Sequence, residues 1–398
     1  MCRAGRLIGV LARFLEGFGD AADERGVRTF LVGRAGALCL PACLLAGLIL
    51  TVVALDATAS AARSRPTCAG VRATQVSSKS RIVPKPHAVV FARGKRDNTI
   101  KVANGDHTRH IICGGSGRDN IEGGRGDEIL VGGPGSDRVF SRRGNDLLVG
   151  DGYSRTGDAT GKTGRDTLYG GRGWEVIVGD NLGAGDATGG SRDRLGGNVG
   201  RETIIGDSAV TGSGTASGGA DDWVAAMEGG ALVIGDSFSP RGDASGGGDD
   251  LLNHALASVL MIGDSTTLVG TASGGGNDEL HAATGGDYHQ KCRRCNDRLY
   301  GDSYALTSDG ADWGKGNDLL TAGRADHTYM DGQGSEPGAG RRGRTLCAGN
   351  TRGRTVATAC DIYLRIQQVR SAPAPPPPMW RLKRYGAGWP LRTASPRP

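Results

Sequence analysis

The sequence predicts an all-β fold, a parallel β-roll or β-helix solenoid of short repeated units, with an added loop in each coil of its second part. Two observations predict it. Glycine supplies 70 of the 398 residues while aromatic residues make up only 5%, which disfavours a large conventional core and favours stacked repeats. A glycine-rich unit also recurs every nine residues and places an acidic residue at the same position each time.

The nine-residue unit is clearest between Cys113 and Gly150. Residues 114–121, 123–130 and 132–139 follow the pattern G-G-x-G-x-D-x-U, in which U is a large aliphatic residue. Glycine permits a tight turn with positive φ, and the aliphatic residue begins a short buried strand. The acidic positions of this block are Asp119, Glu128, Asp137 and Asp146.

From residue 164 the unit lengthens to 27 to 29 residues, or to 38 to 40 across an insertion near residues 285–296. Two nonapeptides make one coil of 18 residues. The remaining ten or so, as in residues 208–217 and 265–274, are rich in Gly, Ser, Thr and Ala and are predicted to form one polar loop per coil. Turns similar to Asn/Asp-Asp-x-Leu recur at Asp166, Asp193, Asp222, Asp250, Asp278 and Asp318, and Asp297 lies five residues before Asp302. Gly-Asp pairs recur at Asp151, Asp180, Asp207, Asp236, Asp264 and Asp302, and Glu175 lies in the second nonapeptide of its unit.

Short aliphatic runs lead into the Gly-Asp pairs. Leu147–Val149, Val176–Val178 and residues 260–262 are examples. Each run is bounded by glycine and lacks the length and the 3.6-residue period of a helix, so each is predicted to be a short strand.

These units resemble the RTX, or haemolysin-type, calcium-binding repeat over roughly residues 94–332. The resemblance implies a right-handed parallel β-roll with Ca²⁺ between successive turns, in a secreted protein that folds where calcium is abundant. Carboxylates and turn carbonyls are hard oxygen donors suited to this ion. The resemblance thus makes all eighteen acidic residues named above candidate Ca²⁺ ligands. Metal-free turn stabilisation by Asp is the alternative, and Ala231 and Val259 leave two positions without a carboxylate.

The charge distribution separates an acidic body from basic ends. Residues 113–332 contain 33 Asp or Glu and 19 Lys or Arg, a balance of −14, within a chain of net charge +6. An acidic body of this kind argues against nucleic acid as a partner. Its carboxylates repel one another unless cations are bound, so calcium ions are the expected partners.

The N-terminal segment, residues 1–61, is predicted to direct export. Residues 35–55 carry no charge and are followed by small residues, which is typical of a secretory signal cleaved near Ala59 or Ala61. Because the segment is long enough to span a bilayer, a retained membrane anchor is the alternative. The rest of the chain is divided into a basic segment (62–100), the β-roll (101–334), a C-terminal cap (335–370) and a Pro-rich disordered tail (371–398).

Six cysteines follow the N-terminal segment, and an even number in an exported chain favours disulfides. Cys292–Cys295 and Cys347–Cys360 are the local pairs, which leaves Cys68–Cys113 by elimination.

The sequence therefore predicts a secreted, non-enzymatic calcium-binding protein. It contains no Gly-x-Ser-x-Gly elbow and no His-Glu-x-x-His motif, so serine hydrolase and zinc protease chemistry is not indicated. Two alternatives stay open. One is a surface or adhesion module whose loops at 208–217 and 265–274 bind extracellular glycan or cell-surface material, and the other is a secreted enzyme with an unrecognised site.

Overall fold

A computed structural model of the chain describes residues 65–255, 257–282, 296–305, 311–313, 317–321, 327–331, 346–348, 354–358, 362–364 and 368–370. Within these residues the secondary structure consists of β-strands. Two long parallel sheets stack the coils, and the strands of successive coils pair in register. The all-β parallel solenoid predicted from the sequence is confirmed.

The first long sheet, called the outer sheet, has twelve strands. They are, in order along the sheet, Arg81–Ile82, Thr99–Lys101, Asn120–Glu122, Arg138–Phe140, Thr167–Tyr169, Arg194–Gly196, Trp223–Ala226, Leu251–His254, Glu279–His281, Leu319–Thr321, Leu346–Ala348 and Ile362–Leu364. The second, called the central sheet, has thirteen. They are Gln75–Ser77, Val89–Ala92, Ile111–Cys113, Ile129–Val131, Leu147–Val149, Arg172–Val178, Val199–Ile205, Ala231–Ile234, Val259–Ile262, Asn296–Tyr300, His327–Asp331, Arg354–Thr358 and Gln368–Arg370.

Side-chain alternation explains why central strands such as Ile129–Val131 and Leu147–Val149 are aliphatic at every position. The middle residue of each strand, such as Leu130 or Leu148, packs against middle residues of the outer sheet such as Val139 and Leu168 in one core. The flanking residues point the other way and join a second core. Outer-sheet strands such as Arg138–Phe140 and Thr167–Tyr169 bury only their middle residue, so their flanking positions can be polar.

The added segments of the second part are more ordered than the polar loops predicted from sequence. They contain two further parallel sheets of five short strands each. One comprises Leu182–Gly183, Ala209–Val210, Phe238–Ser239, Thr266–Thr267 and Tyr304–Ala305; the other comprises Ala187–Thr188, Ala216–Ser217, Ala244–Ser245, Thr271–Ser273 and Ala311–Trp313. Leu182, Ala209 and Phe238 belong to the second core. The segments therefore cover the second apolar face of the central sheet, which would otherwise be exposed.

The stack of coils extends beyond the repeats visible in the sequence. Strands within residues 62–100 and 335–370 belong to the two long sheets. Ile82, Val90 and Ile100 fill core positions there, although the glycines and aspartates of the nonapeptide are largely missing. Aliphatic residues at the buried positions thus suffice to continue the stack.

A disulfide ties the N-terminal hairpin to the solenoid. The hairpin pairs Thr67–Cys68 with Val71–Arg72 antiparallel, and Cys68 is bonded to Cys113 of the central sheet, as predicted by elimination. Cys347 is also disulfide-bonded. Its predicted partner Cys360 and the pair Cys292–Cys295 lie outside the described residues, as do residues 1–61 and the tail.

No helix in the described part of the chain is long and apolar enough to cross a membrane.

Replacing both Cys68 and Cys113 with serine is expected to lower the free energy of unfolding by about 2–4 kcal/mol, because the bond closes a long loop in the unfolded chain. The measurement is urea unfolding of both proteins at saturating Ca²⁺ without reductant, so that the parent keeps its disulfide. An unchanged unfolding midpoint would show that the hairpin adds no stability to the solenoid.

Candidate metal centre

The predicted ligand residues lie in three rows that run along the solenoid. All eighteen are buried, and none exposes more than 3% of its surface. The first turn row precedes the outer-sheet strands and contains Asp119, Asp137, Asp166, Asp193, Asp222, Asp250, Asp278 and Asp318. The Gly-Asp row follows the central strands and contains Asp151, Asp180, Asp207, Asp236, Asp264 and Asp302. The opposite turn row contains Glu128 and Asp146, which directly precede central-sheet strands, and Glu175 and Asp297, which lie within such strands.

A hydrogen-bond ladder fixes the first turn row. The backbone N–H of each aspartate donates to Oδ1 of the aspartate one coil further on, starting with Asn98 and ending at Asp318. The eight N···O distances lie between 2.6 and 3.1 Å. Each carboxylate is thereby held in one orientation, with its second oxygen directed away from the ladder.

That second oxygen lacks a hydrogen-bond partner at seven consecutive positions. The buried Oδ2 atoms concerned belong to Asp119, Asp137, Asp166, Asp193, Asp222, Asp250 and Asp278. An ionised carboxylate oxygen without a hydrogen bond or counter-ion is costly to bury. Seven successive instances at equivalent positions indicate a missing partner of positive charge.

Glycine carbonyls converge on the same places. A Cβ added to Gly150 would collide with both Oδ2 of Asp166 and the carbonyl oxygen of Gly179 in the next coil. The same pair of collisions occurs at every equivalent glycine, namely Gly114, Gly132, Gly179, Gly206, Gly235 and Gly263. Each unpartnered Oδ2 therefore lies beside a carbonyl oxygen of the next coil, and only glycine leaves this space open.

The Gly-Asp row lies beside the first turn row. Its carboxylates accept backbone hydrogen bonds from the following turn: the N–H of Ser191 donates to Asp180 at 3.0 Å, and that of Gly276 donates to Asp264 at 2.9 Å. Oδ1 of Asp151 and Oδ2 of Asp264 are buried without a partner. The two rows thus concentrate negative charge along one side of the solenoid.

The opposite turn row is shorter and interrupted. Both carboxylate oxygens of Glu175 are buried without a partner, and so are both of Glu202. The row stops at Ala231 and Val259, as the sequence indicates, and resumes at Asp297, whose Oδ1 accepts from the N–H of Val259 at 3.3 Å.

Two buried carboxylates were not among the predicted ligands. Glu202 is paired in register with Glu175, so the nonapeptide spacing that selected Glu175 also marks Glu202. Asp331 is buried as well. It lies 29 residues after Asp302 and so follows the spacing of the Gly-Asp series, but the register pairs it with Tyr300 rather than with Asp302.

Burial strongly favours the protonated form of these acids. Desolvation raises the pKa of Asp137 to about 8, and desolvation together with neighbouring Asp151 raises that of Asp166 to about 10. At the end of the row the pKa of Asp119 rises only to about 6. In the opposite turn row, burial raises the pKa of Glu175 to about 8. Without a cation, the folded chain holds these groups in an environment that resists their ionisation.

Backbone oxygens lie beside the carboxylates of the first turn row. Among the described residues, no three His, Cys, Asp or Glu side chains form one cluster. A Ca²⁺ ion bound here would therefore need further oxygen donors, and the converging glycine carbonyls are placed to provide them. A set made only of carboxylate and carbonyl oxygens fits Ca²⁺, which takes six to eight oxygen ligands.

Nitrogen-bearing side chains terminate both turn rows at their N-terminal ends. The Nδ2 group of Asn98 donates to the carbonyl oxygen of Arg96 at 2.6 Å and to Oδ1 of Asp119 at 2.9 Å, and it lies 3.4 Å from the carbonyl oxygen of Gly114. His110 is paired in register with Glu128 through the strands that follow them, and its Nδ1 lies 3.6 Å from Oε1 of Glu128. At this end of the row, the side-chain amide of Asn98 thus donates N–H groups to carbonyl and carboxylate oxygens, the same kinds of oxygen that would bind a cation further along the row.

Replacing Asn98 with aspartate is expected to destabilise the metal-free protein by about 1–3 kcal/mol, since it adds an unpaired buried charge beside Asp119. Saturating Ca²⁺ should restore most of the loss. Asn145→Asp is the matched control, because Asn145 is exposed and its side-chain oxygen already accepts from the N–H of Trp174. Thermal unfolding in chelator and in Ca²⁺ measures both effects. Equal losses in the two conditions would contradict a cation-like role for the Asn98 amide.

The raised pKa values predict an inverted pH dependence for the metal-free protein. An unfolded aspartate has a pKa near 3.9, so the stabilising contribution of these groups is complete below about pH 4. This stabilising contribution is lost as the pH rises through the pKa values of the folded state, which run from about 6 for Asp119 to about 10 for Asp166. Urea unfolding of protein stripped of metal should give a falling free energy of unfolding from pH 5 to pH 9. The Ca²⁺-saturated protein should behave oppositely at low pH, because protons compete with the metal. Metal-free stability that increases with pH would contradict the burial of these carboxyls.

Comparison with known proteins supports this assignment of the ion. The family model described as the RTX calcium-binding nonapeptide repeat (4 copies) matches residues 114–148 and 151–181. Comparison with curated proteins finds no significant relative, and comparison with solved structures finds no significant similarity. The chain therefore contains RTX calcium-binding repeats in residues 114–148 and 151–181, and Ca²⁺ is the ion that such repeats bind.

Proposed function

We propose that the chain is an extracellular calcium-binding solenoid in which Ca²⁺ lies between successive coils and is required for full folding. The observation that supports it most strongly is the series of seven unpartnered Oδ2 atoms, each beside a glycine carbonyl of the next coil. No hydrogen-bond donor of the described chain satisfies these oxygens. A divalent cation between two coils would bind the Oδ2 atom of one coil and the glycine carbonyl oxygen of the next.

The proposed ligands follow the three rows. The first turn row supplies the oriented carboxylates, and the Gly-Asp row supplies further negative charge beside them. The opposite turn row offers a second, discontinuous line of sites at Glu128, Asp146, Glu175 and Asp297, to which the register adds Glu202. At each proposed site Ca²⁺ would neutralise the carboxylates and join adjacent coils.

Folding and metal binding are proposed to be coupled. Without metal, burial of each ionised carboxylate opposes stacking, and neighbouring aspartates such as Asp236 and Asp250 repel one another. Binding that occurs only in the stacked state stabilises that state in proportion to the logarithm of the metal concentration. Coils with seven adjacent sites should therefore fold cooperatively as Ca²⁺ becomes available.

An extracellular location is proposed from two features. The uncharged residues 35–55 have the layout of an export signal, and disulfides such as Cys68–Cys113 persist in oxidising compartments. We also propose a non-enzymatic role, because the acidic side chains are held in buried rows rather than presented in a catalytic cleft.

Adjacent residues Asp249 and Asp250 allow a matched test. Asp250 is buried, its Oδ1 accepts from the N–H of Asp222, and its Oδ2 has no partner. Asp249 is exposed and its Oδ1 accepts from Asn277. Substitution of either by asparagine keeps the accepting oxygen and removes one charge. Only Asp250→Asn places an N–H donor where the cation is proposed.

Asp250→Asn is expected to raise the free energy of unfolding in chelator by about 1 kcal/mol or more, because a buried unpaired charge is removed. It should also lower the number of bound Ca²⁺ ions by about one per chain. Asp249→Asn should change neither quantity. Urea unfolding in both conditions and metal analysis of the desalted protein provide the measurements. Identical Ca²⁺ stoichiometry for the two variants and the parent would exclude the first turn row as ligands.

A further inference from the structure

The solvent face of the outer sheet carries an aromatic strip. Because strand residues alternate in direction, the first and third residues of each outer-sheet strand face away from the core. Phe140 and Tyr169 occupy adjacent third positions, and their rings stack with centroids 5.5 Å apart and planes 13° apart. Gly196 follows in register, and a Cβ there would collide with the Tyr169 ring. The missing side chain at Gly196 lets the Tyr169 ring lie across the neighbouring strand.

Arginines flank this strip on both sides. A groove of about 1120 Å³ on one side is lined by Arg118, Arg138, Arg165, Arg192 and Arg194, together with Tyr169 and the exposed Trp223. A second groove of about 670 Å³ is lined by Phe140, Tyr169, Arg142, Arg143 and Arg172. Tyr169 lies between the two grooves and lines both.

Most of these guanidinium groups are available to a ligand. Arg192 pairs with Asp221 and Arg142 pairs with Glu122. Within the described part of the chain, the other six form no ion pair with a carboxylate; these are Arg118, Arg138, Arg143, Arg165, Arg172 and Arg194. Unpaired arginines beside the partly exposed rings of Phe140 and Tyr169 and the exposed ring of Trp223 form a surface that is complementary to a ligand with acid groups and flat apolar faces.

We propose that this face binds an anionic polysaccharide, with sugar rings against Phe140, Tyr169 and Trp223 and with carboxylate or sulfate groups on the flanking arginines. The strands are about 4.8 Å apart and carry their side chains in register, so a linear polymer lying along the ladder would meet equivalent positions in successive coils. The binding face is distinct from the coil loops at 208–217 and 265–274.

The charge of the larger groove favours a sparsely charged polymer that binds in the presence of Ca²⁺. Asp137, Asp166, Asp193 and Asp222 of the first turn row line it, as do the more exposed Asp221 and Asp249. Ca²⁺ at the first turn row would neutralise the four buried aspartates and leave the arginines in excess; this part rests on the proposed function. The acidic body still opposes the dense phosphate charge of a nucleic acid. Sugar acids spaced along apolar rings fit this mixture of charge and aromatic surface better.

The test uses the purified full chain at saturating Ca²⁺ and isothermal titration with defined short ligands. The probes are a monosulfated chondroitin oligosaccharide for sulfate, an oligogalacturonate too short to gel for carboxylate, maltohexaose as a neutral glycan, and oligo(dT) as a nucleic acid. The variants are Arg138→Ala/Arg194→Ala for charge and Tyr169→Ala for the ring. Tyr169→Phe retains the ring, and Arg72→Ala/Arg241→Ala removes two exposed arginines outside the grooves.

We expect the parent to bind at least one anionic glycan and not the neutral one. The groove double variant and Tyr169→Ala should each weaken that binding about tenfold or more, while Tyr169→Phe and the control double variant should bind like the parent. Circular dichroism of every variant in Ca²⁺ verifies the fold.

A folded parent that binds none of the anionic glycans overturns the proposal. Equal loss in the control double variant, or binding of oligo(dT) as tight as that of the glycans, also overturns it. Failure of the calcium proposal would instead show as unchanged stoichiometry in Asp250→Asn, which does not alter this surface.

Discussion

The structure depends on the burial of carboxylate oxygens that no hydrogen bond of the described chain satisfies. In the first turn row the backbone orients every aspartate through Oδ1, and from Asp119 to Asp278 it leaves Oδ2 beside a glycine carbonyl of the next coil. A row of such oxygens opposes stacking when it is ionised and bare, and it joins the coils when a divalent cation lies between them. The same feature explains seven of the glycines, because a side chain at a position such as Gly206 or Gly235 would fill the space where these oxygens meet.

Other parts of the structure stabilise the solenoid without calcium. Two aliphatic cores hold the sheets together, one between the outer and central sheets and one beneath the added segments. At the N-terminal end the carboxylate rows give way to Asn98 and His110, and a disulfide ties down the adjacent hairpin. That end of the solenoid is thus built from interactions that need no metal, while the middle coils concentrate unpaired carboxylates. Stability is therefore expected to depend on calcium most strongly in the middle coils.

Much of this arrangement could be predicted from spacing. The acidic residues recur with the nine-residue period and with the unit of 27 to 29 residues. The structure places them in three rows, because strands that pair in register bring residues of equal spacing to equivalent positions. The strands in residues 75–101 were missed, since Ile82 and Ile100 continue the core without the glycine-aspartate signature. The short sheets of the added segments were also missed. Their polar composition conceals isolated residues such as Leu182 and Phe238, whose burial depends on the second apolar face of the central sheet.

The arginine and aromatic surface of the outer sheet could not be predicted from the sequence, because Phe140 and Tyr169 become neighbours only through strand pairing.

The most direct test of the central claim is far-ultraviolet circular dichroism of the purified chain, first in chelator and then during titration to millimolar Ca²⁺. Coupling of calcium to coil stacking predicts a weak β-sheet signal in chelator that grows cooperatively with Ca²⁺, together with a higher thermal midpoint. The same β-sheet signal and the same thermal midpoint in chelator and in Ca²⁺ would contradict the account.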